Sequence, residues 1–183
     1  MRGFQWGRCG LIEVLATIAF VWVTDTVLGG EKLPTSFTVG LILALVPAFI
    51  WLTFIYRQDR VDPEPPSLVL STFILGGLLA WGIGSPVAEH VFGLSDWRFS
   101  SPTSRWIGAV AIVAALHQLC AYLAIRFAVF QTGDLDEPVD GIIYAAAGGL
   151  GVATATTLHF VAANKGILPL AGTAWIASVT LIH

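Results

Sequence analysis

Apolar residues fall along this chain in long unbroken blocks, with neither the strict alternation of a half-buried strand nor the narrow stripe of a surface helix. Six blocks of this kind occupy 11–28, 37–56, 67–92, 106–130, 140–162 and 167–183, joined by short polar connections. About 20 helical residues cross the hydrocarbon core of a bilayer, so the pattern predicts an all-α fold: a polytopic transmembrane helix bundle of about six spans. The longest connection, from Gly93 to Arg105, is about a dozen residues and no repeat appears, so residues 1–183 read as one integral membrane domain. Arg2 and Arg8 precede the first block as they would a signal peptide, yet Glu13 and Asp25 interrupt it and no small-residue cleavage site follows. It reads as a retained anchor. The sixth block ends at His183 with no polar flank, and the expectation is a chain cut short at its C-terminus or a helix that stops within the bilayer.

Composition sharpens this picture. Of 183 residues, 56% are hydrophobic and only 11% charged, against roughly 25% charged in a soluble domain. The mean hydropathy is +0.79. A net charge of −3, from 9 basic and 12 acidic residues, offers no basic stripe, which excludes nucleic acid as a partner. Cys9 and Cys120 match no paired spacing, so neither a disulfide framework nor a cysteine metal site is indicated. The seven tryptophans mostly lie near block ends, as interfacial anchors do. The partners expected are the lipid bilayer and a membrane-spanning protein, bound as partner or substrate.

Two connections carry most of the remaining information. The first runs from Tyr56 to Pro66 and holds Arg57, Asp59, Arg60 and Glu64 among three prolines. It reads as a salt-bridged turn at the headgroup level, with Pro66 in the first turn of the next helix, where a missing N–H is harmless. The second, with Asp136, Glu137, Pro138 and Asp140, reads as a helix start whose acids complement the positive end of the helix dipole. Beyond it, Gly141, Ala145, Gly149 and Ala153 recur at every fourth position, predicting a small-residue groove for close approach of another helix.

The stretch YRQDR at 56–60, the PEP at 63–65, Phe73 followed by Gly76 and Gly77, and above all DEPVDGIIYAAAGGLG at 136–151 resemble the PrsW-type intramembrane proteases. The resemblance runs over roughly residues 45–183. It implies a prokaryotic cytoplasmic membrane and a multi-helix protease that hydrolyses membrane-embedded peptides with metal and carboxylate chemistry. Such chemistry needs an activated water in a polar pocket enclosed by the bundle. The family pattern has a Glu-Glu-x-x-Lys motif on one helix, a Phe-x-x-x-Glu motif on the next and a later histidine. In register with residues 136–141, the paired glutamates fall on His117 and Gln118 and the lysine on Ala121. The second motif falls on Val152 and Thr156, with Thr157 where an asparagine commonly follows, and the histidine is His183.

The catalytic positions His117, Gln118, Ala121, Thr156 and His183 thus hold no carboxylate. Gln118 keeps the shape of glutamate without its charge, and loss of a general base alone typically costs about 10²–10⁴ in rate. The reading is a PrsW-like scaffold, with no cofactor expected, that binds membrane partners without cleaving them. One alternative is an active metallopeptidase with a rearranged set, in which His117, His159 and His183 hold zinc and leave a fourth position open. Another is a small transporter or channel, for which Glu13, Asp25, Glu89 and His90 are the few intramembrane polar groups available.

Overall fold

A computed structural model describes residues 37–57, 63–93 and 101–163, together with Leu15, Ala19 and Trp22. Among these residues all regular structure is helical. The helices are α1 (Phe37–Tyr56), α2 (Pro66–Leu79), α3 (Pro102–Ile107), α4 (Ala115–Ala128) and α5 (Pro138–Ala163). α2 continues through π-helical turns at Ala80–Gly84 and Val87–Val91, and the π-helical stretch Gly108–Ala114 joins α3 to α4. Helix therefore lies over the four middle apolar blocks. The blocks 11–28 and 167–183 lie outside the described residues, apart from Leu15, Ala19 and Trp22, which are helical.

Three helices among the described residues are long and apolar enough to cross a membrane: Pro66–Val91, Ala111–Ala128 and Pro138–Ala162. The chain is an integral membrane protein. Pro138–Ala162 is the most deeply buried of the three. The chain divides into two compact units, Glu64–Thr156 and the pair of segments Met1–Pro63 with Thr157–His183. In the latter, α1 buries Ala44, Ala48 and Leu52, spaced four apart on one face, and exposes Ile42 and Phe49. Trp51 meets Phe54 edge to face, with ring centroids 5.9 Å apart.

The unit Glu64–Thr156 is organised by its helix starts and its glycines. Pro66 opens α2, and the Pro65 carbonyl accepts the N–H groups of Leu68 at 2.9 Å and Val69 at 3.2 Å. α2 and α5 then approach until backbone meets backbone. A Cβ on Gly76 would run into the carbonyl of Gly148, and one on Gly151 into the carbonyl of Phe73. A Cβ on Gly77 would come within 3.2 Å of the Gly151 oxygen. On the other side of α5, a Cβ on Gly148 would stand 3.1 Å from the Ala121 oxygen, so α4 is close as well. Ala80, Cys120, Ala121, Val152 and Ala155 close the space between these helices, with Leu79 against them.

This contact corrects the first half of the expected groove, whose other two positions, Gly149 and Ala153, are buried. Gly141 has nothing within 4 Å and Ala145 is exposed, while the close approach falls on Gly148 and Gly151. The cause is rotational. Each residue turns an α-helix by about 100°, and the buried stripe of α5 starts from Asp140 and Tyr144, which leaves positions 141 and 145 turned outward.

Several hydroxyls inside these helices are satisfied locally, as lipid favours. Thr72 donates to the Leu68 carbonyl at 2.8 Å, Thr154 to Leu150 at 2.8 Å and Thr156 to Val152 at 2.9 Å. In the π-helical region Ser85 donates to Ala80 at 3.1 Å.

Replacing Gly151 with alanine forces α2 from α5 and should destabilise the detergent-solubilised protein by about 1–3 kcal/mol, the usual penalty for overpacking. Gly82→Ala, with nothing near its Cβ, serves as the control and should shift stability by no more than about 0.5 kcal/mol. Chemical denaturation of both variants measures the difference.

Candidate functional site

Two groups of side chains in the unit Glu64–Thr156 bear on function. The first is polar and lies where α2 and α5 begin. Asp140 stands three residues into α5, and its Oδ2 reaches back to accept the N–H groups of Glu137 at 2.7 Å and Asp136 at 3.1 Å. A carboxylate at this place satisfies amides that the first helical turn leaves free and meets the positive end of the helix dipole. One turn on, Tyr144 donates its hydroxyl to Oε2 of Glu64 at 2.6 Å, a bond between residues 80 apart in sequence. All three side chains are buried, at 2% exposure for Asp140, 0% for Tyr144 and 6% for Glu64.

Burial pushes the Glu64 carboxyl above the ordinary glutamate range. The Tyr144 hydrogen bond pulls it partly back, and the neighbouring carboxyls of Asp140 and Asp134 raise it again. Glu64 was grouped by sequence with the surface charges of a turn, whereas here it sits inside the protein. Arg57 is exposed just beyond α1, its N–H donating to the Thr53 carbonyl at 3.1 Å. Asp59 and Arg60 lie outside the described residues, and Asp136 and Glu137 are exposed. Sequence reasoning passed over Tyr144. Its signal was the four-residue step from Asp140, which puts the two side chains on one helix face.

The second group gathers the positions expected from sequence to correspond to the family motifs. Ala121 and Val152, 7% and 0% exposed, pack into one apolar cluster with Ala80, Cys120 and Ala155. His117 is half-buried one turn earlier on α4, and Gln118 is exposed. Thr156 is half-buried, with its hydroxyl donated to the Val152 carbonyl. Thr157 is fully buried, and its hydroxyl has no hydrogen-bond partner among the described residues. His159 is exposed and belongs to the other unit, while His183 lies outside the described residues. Glu89 and His90 are exposed at the end of the π-helical continuation of α2.

The donor chemistry of this second group does not suit a hydrolytic metal. Zinc takes imidazole, thiolate or carboxylate ligands. Of His117, Gln118, Ala121 and Thr156 only the histidine is such a ligand, and the threonine hydroxyl is already spent on its own helix. Among the described residues no three His, Cys, Asp or Glu side chains come together as a metal site.

Residues 64–181 match the PrsW family of intramembrane metalloproteases. The chain is similar to Protease PrsW of Geobacillus kaustophilus, with 30% identity over 120 residues that cover 66% of this chain and 51% of the relative. Protease PrsW of Oceanobacillus iheyensis is 28% identical over 68% of this chain and 54% of its own length. For Protease PrsW of Bacillus subtilis the figures are 26%, 60% and 48%. The chain spans about half the length of the curated relatives it matches. No solved structure matches.

Tyr144→Phe removes the donor to a buried carboxyl and should destabilise by about 1–3 kcal/mol, measured as a lowered unfolding midpoint in detergent. Ala121→Lys places a cation in the apolar cluster and should destabilise by about 3–5 kcal/mol, as an unpaired buried charge does. Gln118→Glu, on an exposed side chain, should change stability little.

Proposed function

The chain belongs to the PrsW family, and we propose that within it this protein is a non-proteolytic scaffold that binds membrane-spanning partners in a prokaryotic cytoplasmic membrane. The observation that carries this reading is the packing of Ala121 and Val152 into a closed apolar cluster at positions where the family motifs place a lysine and the aromatic end of the second motif. A lysine there needs polar company, and the surrounding Ala80, Cys120 and Ala155 provide none. Gln118 carries no charge and Thr156 is a weak base whose proton is already engaged. Gln118, Ala121, Val152 and Thr156 cannot take a proton from water near neutral pH, the step on which peptide hydrolysis rests, and among these motif positions in the described residues the imidazole of His117 is the one group with basicity in that range.

The helix-packing features that a substrate-accepting fold needs are retained. Gly76, Gly77, Gly148 and Gly151 hold α2 on α5. Exposed apolar side chains such as Leu119, Tyr122 and Phe127 on α4 face outward, where lipid or another helix can meet them. Binding without hydrolysis lets such a scaffold sequester a membrane protein or shield it from processing.

The test reconstitutes the full chain in liposomes with a single-span membrane reporter and follows cleavage, cross-linking and bound metal together. Cross-linking to the intact reporter, no cleavage products, and a metal content unaltered by His117→Ala are expected. Cleavage accompanied by about one zinc per chain that His117→Ala removes would replace this reading with an active metallopeptidase. Ion flux without cross-linking would replace it with a channel or transporter.

A further inference from the structure

We infer that two copies of this chain pair in the membrane through one face of α4, with the Gln118 carboxamides of the two copies hydrogen-bonded to each other. Of the three spans described, Ala111–Ala128 is the least covered by its own chain. Its apolar 18 residues are 17% buried, against 33% and 67% for the corresponding stretches of Pro66–Val91 and Pro138–Ala162. Cys120, Ala121 and Ala124 form the buried side of α4. Ala111, Ala115, Gln118, Leu119 and Tyr122 are exposed, and from Ala115 onward their spacings of three and four set them on one helix face.

Lipid does not satisfy Gln118. The span places it at least about 10 Å of helix from either end, at about 1.5 Å per residue, too deep for the side chain to reach headgroup water. Its carboxamide carries two N–H donors and an oxygen acceptor, and among the described residues it has no hydrogen-bond partner. A polar group left so in hydrocarbon is strongly unfavourable. Glutamine in a membrane meets the demand by bonding across to another helix.

A second copy supplies the group that this chain lacks. Copies inserted in the same sense carry Gln118 at the same depth, so a two-fold axis along the membrane normal brings the two side chains together. The carboxamide both donates and accepts, and each copy's N–H meets the other's oxygen. An ionised carboxylate or an ammonium at this position would repel its own copy instead. Ala111 and Ala115 have no bulk to hold the two helices apart, and Leu119 and Tyr122 lie beside the bonded pair. A different protein would have to offer a polar group at the same depth, whereas a second copy does so by symmetry. This pairing goes beyond the scaffold reading and holds whether or not the chain cleaves peptides.

The test measures energy transfer between full-length chains labelled at the N-terminus with donor or acceptor dye, reconstituted in liposomes and progressively diluted with lipid. The parent should show transfer above that of random encounter, and unlabelled parent should compete it away. Gln118→Leu should raise the dissociation constant about 3- to 30-fold, as loss of an interhelical hydrogen bond does. Gln118→Asn, which keeps donor and acceptor, should retain most of the pairing, and Ile74→Ala, exposed on α2, should leave it unchanged. Transfer in the parent no greater than random encounter, the outcome if lipid or another part of the chain covers this face, overturns the pairing. So does a Gln118→Leu constant equal to the parent's, or a Gln118→Asn constant as high as that of Gln118→Leu. Should Gln118→Leu not fold, disulfide cross-linking in a Cys9→Ser background decides. Tyr122→Cys should then give a dimer-sized product, and Phe127→Cys, five residues on and turned to another side of α4, should not. No dimer from Tyr122→Cys, or equal yields from both, overturns the pairing.

Discussion

Contact between the bare backbones of α2 and α5 is the constraint on which the unit Glu64–Thr156 depends. Between helices in lipid there is no hydrophobic gain in pairing, since a hydrocarbon tail is as apolar as a leucine. Association must come from close packing, and Gly76, Gly77, Gly148 and Gly151 permit it. Once those glycines set the separation, the positions beside the seam take mostly small side chains. Ala80, Cys120, Ala121 and Ala155 fill them. The buried Thr72 and Thr154 follow the same logic, folding their hydroxyls onto their own helices because no partner across such a narrow gap is needed.

The polar cluster at the helix starts complements this seam. Glycine contacts bring the helices together without fixing their register along the axis, since small smooth surfaces slide. A directional bond from Tyr144 to Glu64, at the end where both helices begin, supplies that register. Asp140 ties the same place to the preceding turn by capping the first turn of α5. A buried polar group is destabilising when half-satisfied, so the cluster works as a specificity element only because each carboxyl has a donor.

Much of this was readable from sequence, and the failures have physical causes. Long apolar blocks mark helices in a membrane because lipid excludes any backbone that cannot satisfy itself, and the prolines at 66 and 138 mark their starts. The face of α5 was misread at Gly141 and Ala145, which are exposed, though not at Gly149 and Ala153, which are buried. A four-residue recurrence of small side chains defines a candidate groove, but Gly148 and Gly151 belong to a neighbouring stripe that only the burial of Asp140 and Tyr144 selects. Glu64 was legible as a charge and illegible as a buried one, because its partner lies 80 residues away. The register with residues 136–141 assigns positions 117, 118, 121, 152 and 156 but says nothing of their surroundings, since the apolar cluster draws on three separate stretches of chain.

The division of labour among these residues bears on how the family fold tolerates substitution. Gly148 meets Ala121 through the alanine's backbone oxygen and Cα, so that contact survives whatever side chain stands at 121. A cation at that position would depend on polar neighbours, and a neutral one would not. Once Ala80, Cys120, Val152 and Ala155 form a dry cluster, alanine is the residue that suits the space. The residues that carry the family resemblance most strongly, from Asp136 to Gly151, are those that cap α5, reach Glu64 and seat α2. Their work is architectural, and it persists without a carboxylate at any of the positions 117, 118, 121 and 156. In this chain the packing of these helices therefore stands on glycine contacts and helix capping, with no carboxylate at those four positions taking part in it.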